Sequence, residues 1–433
     1  MFVSDSSVPG TPYPRLGGVV SLSVFLFFAL MFAVRSGYSY GAGLLLLSSI
    51  YFLAQRPRLQ LERDDKWLIA CLLALCFVGS AIVLWHGNTI KHIDQLSRYA
   101  LAVPVFLLLL HVPPTLKAVW AGVVLGIVLS VGIAAWQLYG LGHNRASGYL
   151  NIIHFGNIGM VFGLFCLCGM LWAGTLKSAS KALAWRLAFA VGAAAAVYAI
   201  IASGSRGSWV AIPPVALLFV IALATRRTIP YLAAGLVIVV LLAVAAYLVP
   251  ETGVAQRLSL AISEVQRYLS ERYVFENGEV SSVGARLEIW RVALLLIPEH
   301  PWLGWSESAF NAELQRLIAA GNVDPYMLEM ANTHNNYLEI QLFFGLPTLL
   351  CLLALYVVAF VHFARHLRAN DPTVRALALA GNSFVAAYFV FGQSQVILGR
   401  NNGVMFFVLA LVILWACLRQ ARGPAASTSL PAQ

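Results

Sequence analysis

Long apolar windows dominate this chain and constrain its fold more than any other feature. A helix needs about 20 mostly apolar residues to cross a bilayer, and the chain contains twelve windows of about that length. The windows begin near Gly17, Gly37, Trp67, Tyr99, Ala118, Ile152, Leu187, Ser208, Tyr231, Leu338, Ala376 and Gly403. Backbone groups inside lipid must be satisfied within their own segment, so each window is predicted to be helical. The sequence therefore predicts an all-α, polytopic integral membrane protein with about 12 transmembrane helices.

The basic residues are distributed unevenly between the loops. With 60% hydrophobic and 11% charged residues, the composition excludes a soluble protein, and the net charge of +10 favours anionic membrane lipids over nucleic acid as partners. Sixteen Lys and Arg residues fall in the alternate loops that include both ends of the chain, whereas six fall in the short loops between them. The six are Arg35, Lys91, Arg98, Arg145, Arg206 and Arg400. Because basic loops stay in the cytoplasm, both termini are predicted to be cytoplasmic.

One segment interrupts the series of apolar windows. Residues 250–333 hold eleven acidic residues and six arginines but no lysine, without an uninterrupted apolar window. We interpret them as one large outer helical domain between transmembrane helices 9 and 10. Residues 1–249 then form transmembrane helices 1–9, residues 334–420 form helices 10–12, and residues 421–433 form a disordered cytoplasmic tail. The first helix is interpreted as retained, with a cleaved leader as the alternative.

Three helices are predicted within this outer domain. Apolar residues recur at helical spacing through the first, at Val254, Leu258, Ile262, Val265 and Leu269. This amphipathic helix can lie on the membrane or on its neighbours. The others are predicted at residues 285–297, before Pro298, and at residues 307–320, closed by Gly321.

A histidine precedes the tenth window. Thr333 is predicted to cap the helix, which puts His334 in its first turn, where the helix dipole favours the neutral imidazole that can accept a proton. Asn335 follows, and Glu339 is an ionisable residue at a depth where charge is costly. The histidine is a candidate general base. The alternative is an interfacial or capping histidine.

Two outer loops carry candidate anion-binding arginines. Arg206 lies in a short Gly- and Ser-rich loop, where backbone donors and a helix N-terminus favour an anion site. The alternative is a tight turn whose arginine extends to lipid headgroups. Arg145 lies in a second polar loop, near His143, which is interpreted as solvated. Arg400 is a further outward cation and is interpreted as a headgroup contact.

The second predicted outer helix supplies another arginine. Arg286 has Trp290 one turn later on the same face, and a guanidinium can bind phosphate oxygens through two parallel bonds. Arg291 follows Glu288 by three residues and is interpreted as part of a surface pair. Arg286 is therefore the candidate phosphate ligand of this helix, and Trp290 a candidate sugar contact.

Several kinds of chemistry are not indicated. The chain has no Gly-Lys-Ser/Thr phosphate loop, and its outer side has no Asp-x-Asp pair, so neither a nucleotide, a metal nor another cofactor is expected. The six cysteines all lie in apolar windows and are predicted to pack in the core. His86 and His92, six residues apart in one loop, are interpreted as solvated.

Five short motifs that follow one another along the chain strengthen the functional interpretation of these candidate residues. They are SRG at 205–207, RLEIW at 286–290, HPWLG at 300–304, HNNYLE at 334–339 and GL at 345–346. Together they resemble the O-antigen ligase and polymerase superfamily of bacterial lipopolysaccharide biosynthesis. The resemblance implies a bacterial inner-membrane protein with a periplasmic active site, and it places the outer domain in the periplasm.

The resemblance also implies the substrates and the residue roles. Proteins similar to this take a glycan from undecaprenyl diphosphate, and the ligases attach it to the lipid A core oligosaccharide. Carried over, His334 is the general base, and Arg206 and Arg286 hold the leaving diphosphate. Arg145, Trp290, Asn335 and Glu339 are predicted to contact substrate. The sequence thus predicts a metal-independent, inverting O-antigen ligase.

Three alternatives remain open. An O-antigen polymerase or a protein O-oligosaccharyltransferase of the same superfamily would share the base and the arginines and differ in its acceptor. A transporter of lipid-linked glycans would need charged residues near the midplane of several helices and two pseudo-symmetric halves. Neither is evident in the sequence.

Overall fold

The structure, a computed structural model, describes residues 14–87, 90–205, 207–249, 254–271, 275–276 and 279–423. The helices of the first part are α1 (Pro14–Ala29), α2 (Tyr38–Ala54), α3 (Arg63–Trp85), α4 (Ile90–His111), α5 (Leu116–Ala135, continued by a π-helical turn, Trp136–Gly140), α6 (Ile152–Ala173), α7 (Ala179–Ser203), α8 (Gly207–Val210), α9 (Ile212–Leu223) and α10 (Ile229–Leu248). Those of the second part are α11 (Val254–Glu271), α12 (Ser282–Leu296), α13 (Glu307–Ala319), α14 (Asn336–Ala364), α15 (Pro372–Phe391) and α16 (Asn401–Arg422). Two short strands, β1 (Phe275–Glu276) and β2 (Glu279–Val280), pair antiparallel between α11 and α12.

These helices confirm the prediction of a helical, multi-pass membrane protein. Among the described residues, eight helices are long and apolar enough to cross a membrane, and three apolar helices are shorter. The eight are Arg63–Trp85, Lys91–His111, Leu116–Gly140, Ile152–Ala173, Ala179–Ser203, Asn336–Ala364, Pro372–Phe391 and Asn401–Arg422. The count of 12 and the periplasmic position of the outer domain remain predictions. Of the predicted tail, residues 421–422 belong to α16, and residues 424–433 lie outside the described part of the chain.

The centre of the bundle is formed by α6, α15 and α16, the most deeply buried of the long helices. Aromatic rings join them: Phe162 of α6 stacks on Phe406 of α16 at 5.6 Å, and Phe384 of α15 meets Phe406 edge-on at 5.8 Å. Lipid tails are as apolar as the helix surface, so burial of apolar area contributes little to the association of helices in a membrane. Close packing of this kind holds the helices together instead. This centre fixes the starts of α6 and α16, which lie near the candidate residues.

Helix α14 is broken at Gly345. At the break it binds part of the predicted outer domain, residues 250–333, which is called the outer segment below. Gly345 has φ 69°, and a Cβ there would lie 2.0 Å from the carbonyl oxygen of Trp302, so only glycine fits. The turn at 300–304 replaces hydrogen bonds lost at the break. Leu346 N–H donates to the Pro301 carbonyl at 2.9 Å, and Trp305 N–H donates to the Leu342 carbonyl at 2.7 Å. The motifs HPWLG and GL are therefore two sides of one contact.

The outer segment also binds the end of α3 and the first turn of α4. His86 Nε2 lies 2.9 Å from the Leu303 carbonyl, and His92 Nε2 lies 2.7 Å from Glu307 Oε1. The interpretation of both histidines as merely solvated is therefore wrong. Sequence could not reveal these partners, since each lies more than 200 residues away along the chain.

Within the outer segment, α12 and α13 share a small apolar core. The helix predicted at 285–297 begins earlier, at Ser282, because the Ser281 hydroxyl accepts the Gly284 N–H at 2.9 Å. The interpretation of Glu288 as a surface residue is wrong. Glu288 is 2% exposed and accepts hydrogen bonds from Tyr268, at 2.6 Å, and from Arg291. This buried group fastens α11 to α12.

Helix α11 presents its apolar stripe outward. Leu258, Ile262 and Leu269 are 51%, 50% and 74% exposed, whereas Glu264 and Tyr268 on another face are buried. The predicted amphipathic helix is confirmed, and its polar side is the one that meets the protein. An exposed apolar stripe at helical spacing is typical of a helix at a membrane interface.

The end of the bundle where α3 begins and α14 and α16 end is called here the opposite end. Asp65 is fully buried and accepts the indole N–H of Trp415 at 2.9 Å together with a bond from Arg419. His362 stacks on Trp415 with ring centroids 3.5 Å apart. Three further ion pairs surround them: Arg365–Asp64 at 2.8 Å, Arg422–Glu62 at 2.8 Å and Arg419–Glu62 at 3.4 Å.

Candidate active site

The turn that precedes α14 differs from the predicted one. The side-chain oxygen of Asn335 caps the helix, accepting the N–H groups of Tyr337 at 3.0 Å and Leu338 at 3.1 Å. Thr333 is therefore not the cap, and His334 lies before the helix, not in its first turn. Thr and Asn are both good caps, so their order along the chain could not decide between them. The backbone of His334 is left-handed, with φ 52°, and its N–H is held by the Asn332 side chain at 2.9 Å.

The imidazole of His334 has one neutral partner. Its Nδ1 lies 2.8 Å from the side-chain oxygen of Gln395, which is only 2% exposed. An amide oxygen can only accept, so Nδ1 carries the ring proton and Nε2 keeps a lone pair. Gln395 was missed in the sequence; a glutamine inside the polar GQSQ run between two apolar windows is its only signal.

The surroundings of His334 keep it neutral. Burial lowers its pKa from the ordinary value, and the positive charges of Arg286 and Arg400 lower the pKa further, against the Gln395 hydrogen bond, which raises it. From the sequence, the neutral state of the ring was attributed to the helix dipole. In the structure, burial and these two positive charges lower the pKa instead. At neutral pH the ring is therefore an uncharged proton acceptor.

Helix α12 brings Arg286 to this turn. The indole N–H of Trp290 donates to the Thr333 carbonyl at 2.8 Å, next to His334. Arg286 lies one turn earlier on the same face. It is half-buried, and its charge acts on the His334 ring. The structure thus brings Arg286 and His334 together, 48 positions apart in the sequence.

Arg206 lies outside the described residues, but the two residues that follow it are anchored near the same place. The hydroxyl of Ser208 donates to Asn157 Oδ1 at 2.8 Å. A Cβ built on Gly207 would lie 2.9 Å from the hydroxyl of Ser394, the neighbour of Gln395. The residue after Arg206 therefore packs beside the segment that holds the imidazole.

The other residues predicted to contact substrate make hydrogen bonds within the protein. Arg145 is exposed, and its Nε–H donates to the Ser203 carbonyl at 2.7 Å, which ties its loop to the end of α7. Glu339 accepts the Thr333 N–H at 2.8 Å and so steadies the turn that carries His334. Asn335 caps α14 and Trp290 donates to Thr333, so all four predicted contacts have a structural partner, and their contact with substrate remains a prediction.

A cavity of about 1160 Å³ opens on this turn. Thr333, Asn336 and Glu339 line it, as do Arg400, Lys91 and His92. His334, Gln395 and Arg286 are not among its lining residues. Arg400 both lines the cavity and acts on the pKa of His334, so the cavity and the imidazole are neighbours. Among the described residues, no group of three or more His, Cys, Asp or Glu side chains is arranged to hold a metal ion.

Fold and site define a multi-pass helical membrane protein with a neutral histidine and arginine charge at one end of its bundle. Residues 191–353, which include Arg206, Arg286 and His334, match a family model described as O-Antigen ligase, and this match supports membership of the O-antigen ligase superfamily. An uncharacterized protein of Haemophilus influenzae is 24% identical over 395 residues, which cover 91% of this chain and 96% of that protein.

Proposed function

We propose that the protein is an O-antigen ligase of the bacterial inner membrane. In this proposal, O-antigen polysaccharide moves from undecaprenyl diphosphate to the lipid A core oligosaccharide on the periplasmic face. The observation that carries the proposal is a neutral imidazole, fixed through Nδ1 by Gln395 and set beside Arg286. Both termini are then cytoplasmic, and residues 250–333 are periplasmic.

The imidazole supplies the base. Nε2 takes the proton of the acceptor hydroxyl as that oxygen attacks the anomeric carbon of the donor sugar. Gln395 keeps Nδ1 protonated, so the lone pair stays on Nε2, and Asn332 and Glu339 steady the turn around it. Because the pKa of His334 is lowered, the ring is already unprotonated at neutral pH.

The arginines supply the charge that the leaving group needs. As the new oxygen–carbon bond forms, the bond from the anomeric carbon to the diphosphate oxygen breaks, and the electron pair leaves with the diphosphate. A diphosphate is a good leaving group, so positive charge can replace both a general acid and a metal ion. We assign Arg286 and Arg206 to this role. Direct displacement inverts the anomeric centre.

The remaining candidates surround these two groups. Arg145, beside the end of α7, is assigned to the donor, and Trp290 to sugar stacking. Asn335 and one carboxylate oxygen of Glu339 accept backbone N–H groups, and through these bonds the two residues hold the turn that carries His334. The exposed stripe of α11 supports contact with membrane lipid.

A polymerase or a protein O-oligosaccharyltransferase would use the same base and arginines. The cavity next to His334 favours a bulky glycan acceptor but does not name it. Transport is disfavoured because the candidate groups gather at one end of the bundle, not near its midplane.

A reconstituted assay with defined acceptors tests the proposal. Purified protein in liposomes receives carrier-linked O-antigen and either lipid A core oligosaccharide, a second carrier-linked repeat or an acceptor peptide. We expect extension of the core oligosaccharide alone. Extension of the carrier-linked repeat would identify a polymerase, and no transfer to any acceptor would reject the proposal.

A further inference from the structure

Two cations that line the cavity beside His334 are not bonded to the acids that line it. Asp94 pairs with Arg98 at 3.0 Å, Glu307 with His92 at 2.7 Å, and Glu339 accepts a backbone N–H. Two further lining residues, Lys91 and Arg400, are exposed, and their side chains make no hydrogen bond or ion pair with the part of the chain that the structure describes. None of these three acids is bonded to Lys91 or Arg400, so both cations are available to a ligand at the cavity surface.

Arg400 is placed at the start of a long helix. It occupies the N-cap position of α16, Asn401–Arg422, and the first N–H groups of a helix attract anions. The segment before it is held on two sides. Gln95 donates to the Gly399 carbonyl at 2.7 Å, and the Leu398 N–H donates to Asn336 Oδ1 at 3.2 Å. The position of Arg400 is therefore fixed by the fold, not by a flexible loop.

A second observation points to a missing acceptor at the same place. Asn336 lines the cavity and is 1% exposed, yet its Nδ2 has no partner among the described residues. A buried donor without an acceptor is costly, and such groups are rare in folded proteins. Its own oxygen is already occupied by Leu398, so rotation of the amide would only exchange one unsatisfied atom for another.

We propose that Arg400, Lys91 and the N-terminus of α16 form an anion subsite in this cavity, which takes a phosphate or carboxylate group of the acceptor glycan. The inference rests on the proposed function and adds a charge requirement on the acceptor. The subsite is distinct from Arg286 and Arg206, which are assigned to the donor diphosphate.

Charge at the subsite also affects the pKa of His334, the proposed general base. The positive charge of Arg400 lowers the pKa of His334, together with burial and Arg286, whereas Gln395 raises it. An anion bound to Arg400 offsets that charge, so the imidazole becomes more basic when a charged acceptor is present. The acceptor thereby helps to activate its own deprotonation.

The test compares a phosphorylated oligosaccharide acceptor with the same oligosaccharide lacking the phosphate, in reconstituted protein with carrier-linked donor. We expect kcat/KM to be about 10- to 100-fold higher for the phosphorylated acceptor, the range for a hydrogen bond to a charged group. In Arg400→Gln this ratio falls towards one, and in Arg400→Lys part of it returns. Arg35→Gln, which removes an exposed charge at a residue that does not line the cavity, keeps the wild-type ratio.

Each outcome is decisive. Equal use of both acceptors by the wild type overturns the subsite while leaving the proposed function standing. An unchanged ratio in Arg400→Gln overturns the assignment of Arg400. A rise in KM for the donor, with no change in the acceptor ratio, shows that the anion at Arg400 is the donor diphosphate or a lipid headgroup. No transfer to either acceptor rejects the proposed function itself.

Discussion

The two ends of the helix bundle differ in the partners of their central polar groups. At the opposite end, Asp65 is buried between Trp415 and Arg419, and the arginines around it meet carboxylates. At the end that carries His334, the imidazole has an amide partner, and the nearby charge of Arg400 meets no carboxylate among the described residues. Paired charges stabilise a structure or specify it, whereas uncompensated charge is available for a substrate. The difference indicates where the chemistry takes place.

The largest expected effect is a loss of transfer activity when the end that carries His334 is changed. His334→Ala should lower transfer by about 10² to 10⁴, because the proton acceptor is lost, while the protein stays folded. Rates in the reconstituted assay measure the loss, and thermal unfolding in detergent checks the fold. The matched control is His143→Ala, an exposed histidine in the loop before α6. Normal transfer by the His334 variant would remove the base from the proposed mechanism.

The next effect is on stability at the opposite end. Asp65→Ala leaves Arg419 and the Trp415 N–H without their buried acceptor and should cost about 3 kcal/mol of unfolding free energy. Transfer per folded molecule should stay close to that of the wild type. Asp64→Asn, at a half-buried site, should cost less than about 1 kcal/mol. A loss of kcat in folded Asp65→Ala would contradict the assignment of this end to structure.

A third variant keeps the charge near His334 and changes only its shape. Arg286→Lys should lower kcat/KM for the donor about 10-fold, because lysine cannot form two parallel bonds to a phosphate. Arg316→Lys provides the control in the same outer segment, where the arginine is exposed and paired with Glu313. If both variants were equally active, Arg286 would be an ordinary surface arginine.

The smallest effect is a shift along the pH axis. Wild-type activity should fall only as the pH drops through the lowered pKa of His334, since the neutral ring is the active form. Gln395→Glu puts a carboxylate beside the ring, which raises the pKa of His334 and should move the acid limb of the kcat profile up by about 1 unit. Gln393→Glu, at an exposed position two residues away, should leave the limb in place. An unmoved limb in Gln395→Glu would mean that another group controls the acid limb.

Much of the fold followed from the sequence because bilayer thickness sets helix length. Each predicted window begins on a helix or beside its start, although the window at Ser208 is divided between α8 and α9, and α11 and α13 begin and end close to the predicted positions. The finer points depended on single hydrogen bonds. Asn335 took the cap that was assigned to Thr333, and Glu288 became buried because Tyr268 lies over it.

Part of the site could also be predicted from the sequence. His334 and Arg286 were chosen from residue type and position, and the structure places them near each other. Gln395 and the partners of Asn336 come from segments about 60 residues away, and no local pattern connects them. Long-range pairing of polar side chains is what a single sequence conceals.

The break in α14 has a mechanical consequence. Its first nine residues, before Gly345, are bonded to the outer segment through Pro301 and Trp305, while the rest of the helix belongs to the bundle. On another side they meet the segment before Arg400: the Asn336 N–H donates to the Gly392 carbonyl at 2.6 Å, and Asn336 Oδ1 accepts the Leu398 N–H at 3.2 Å. The start of α14 is therefore a bridge that joins the outer segment to the segment that carries Gln395 and Arg400. A displacement of the outer segment is transmitted through this bridge to the proton acceptor and the cation together.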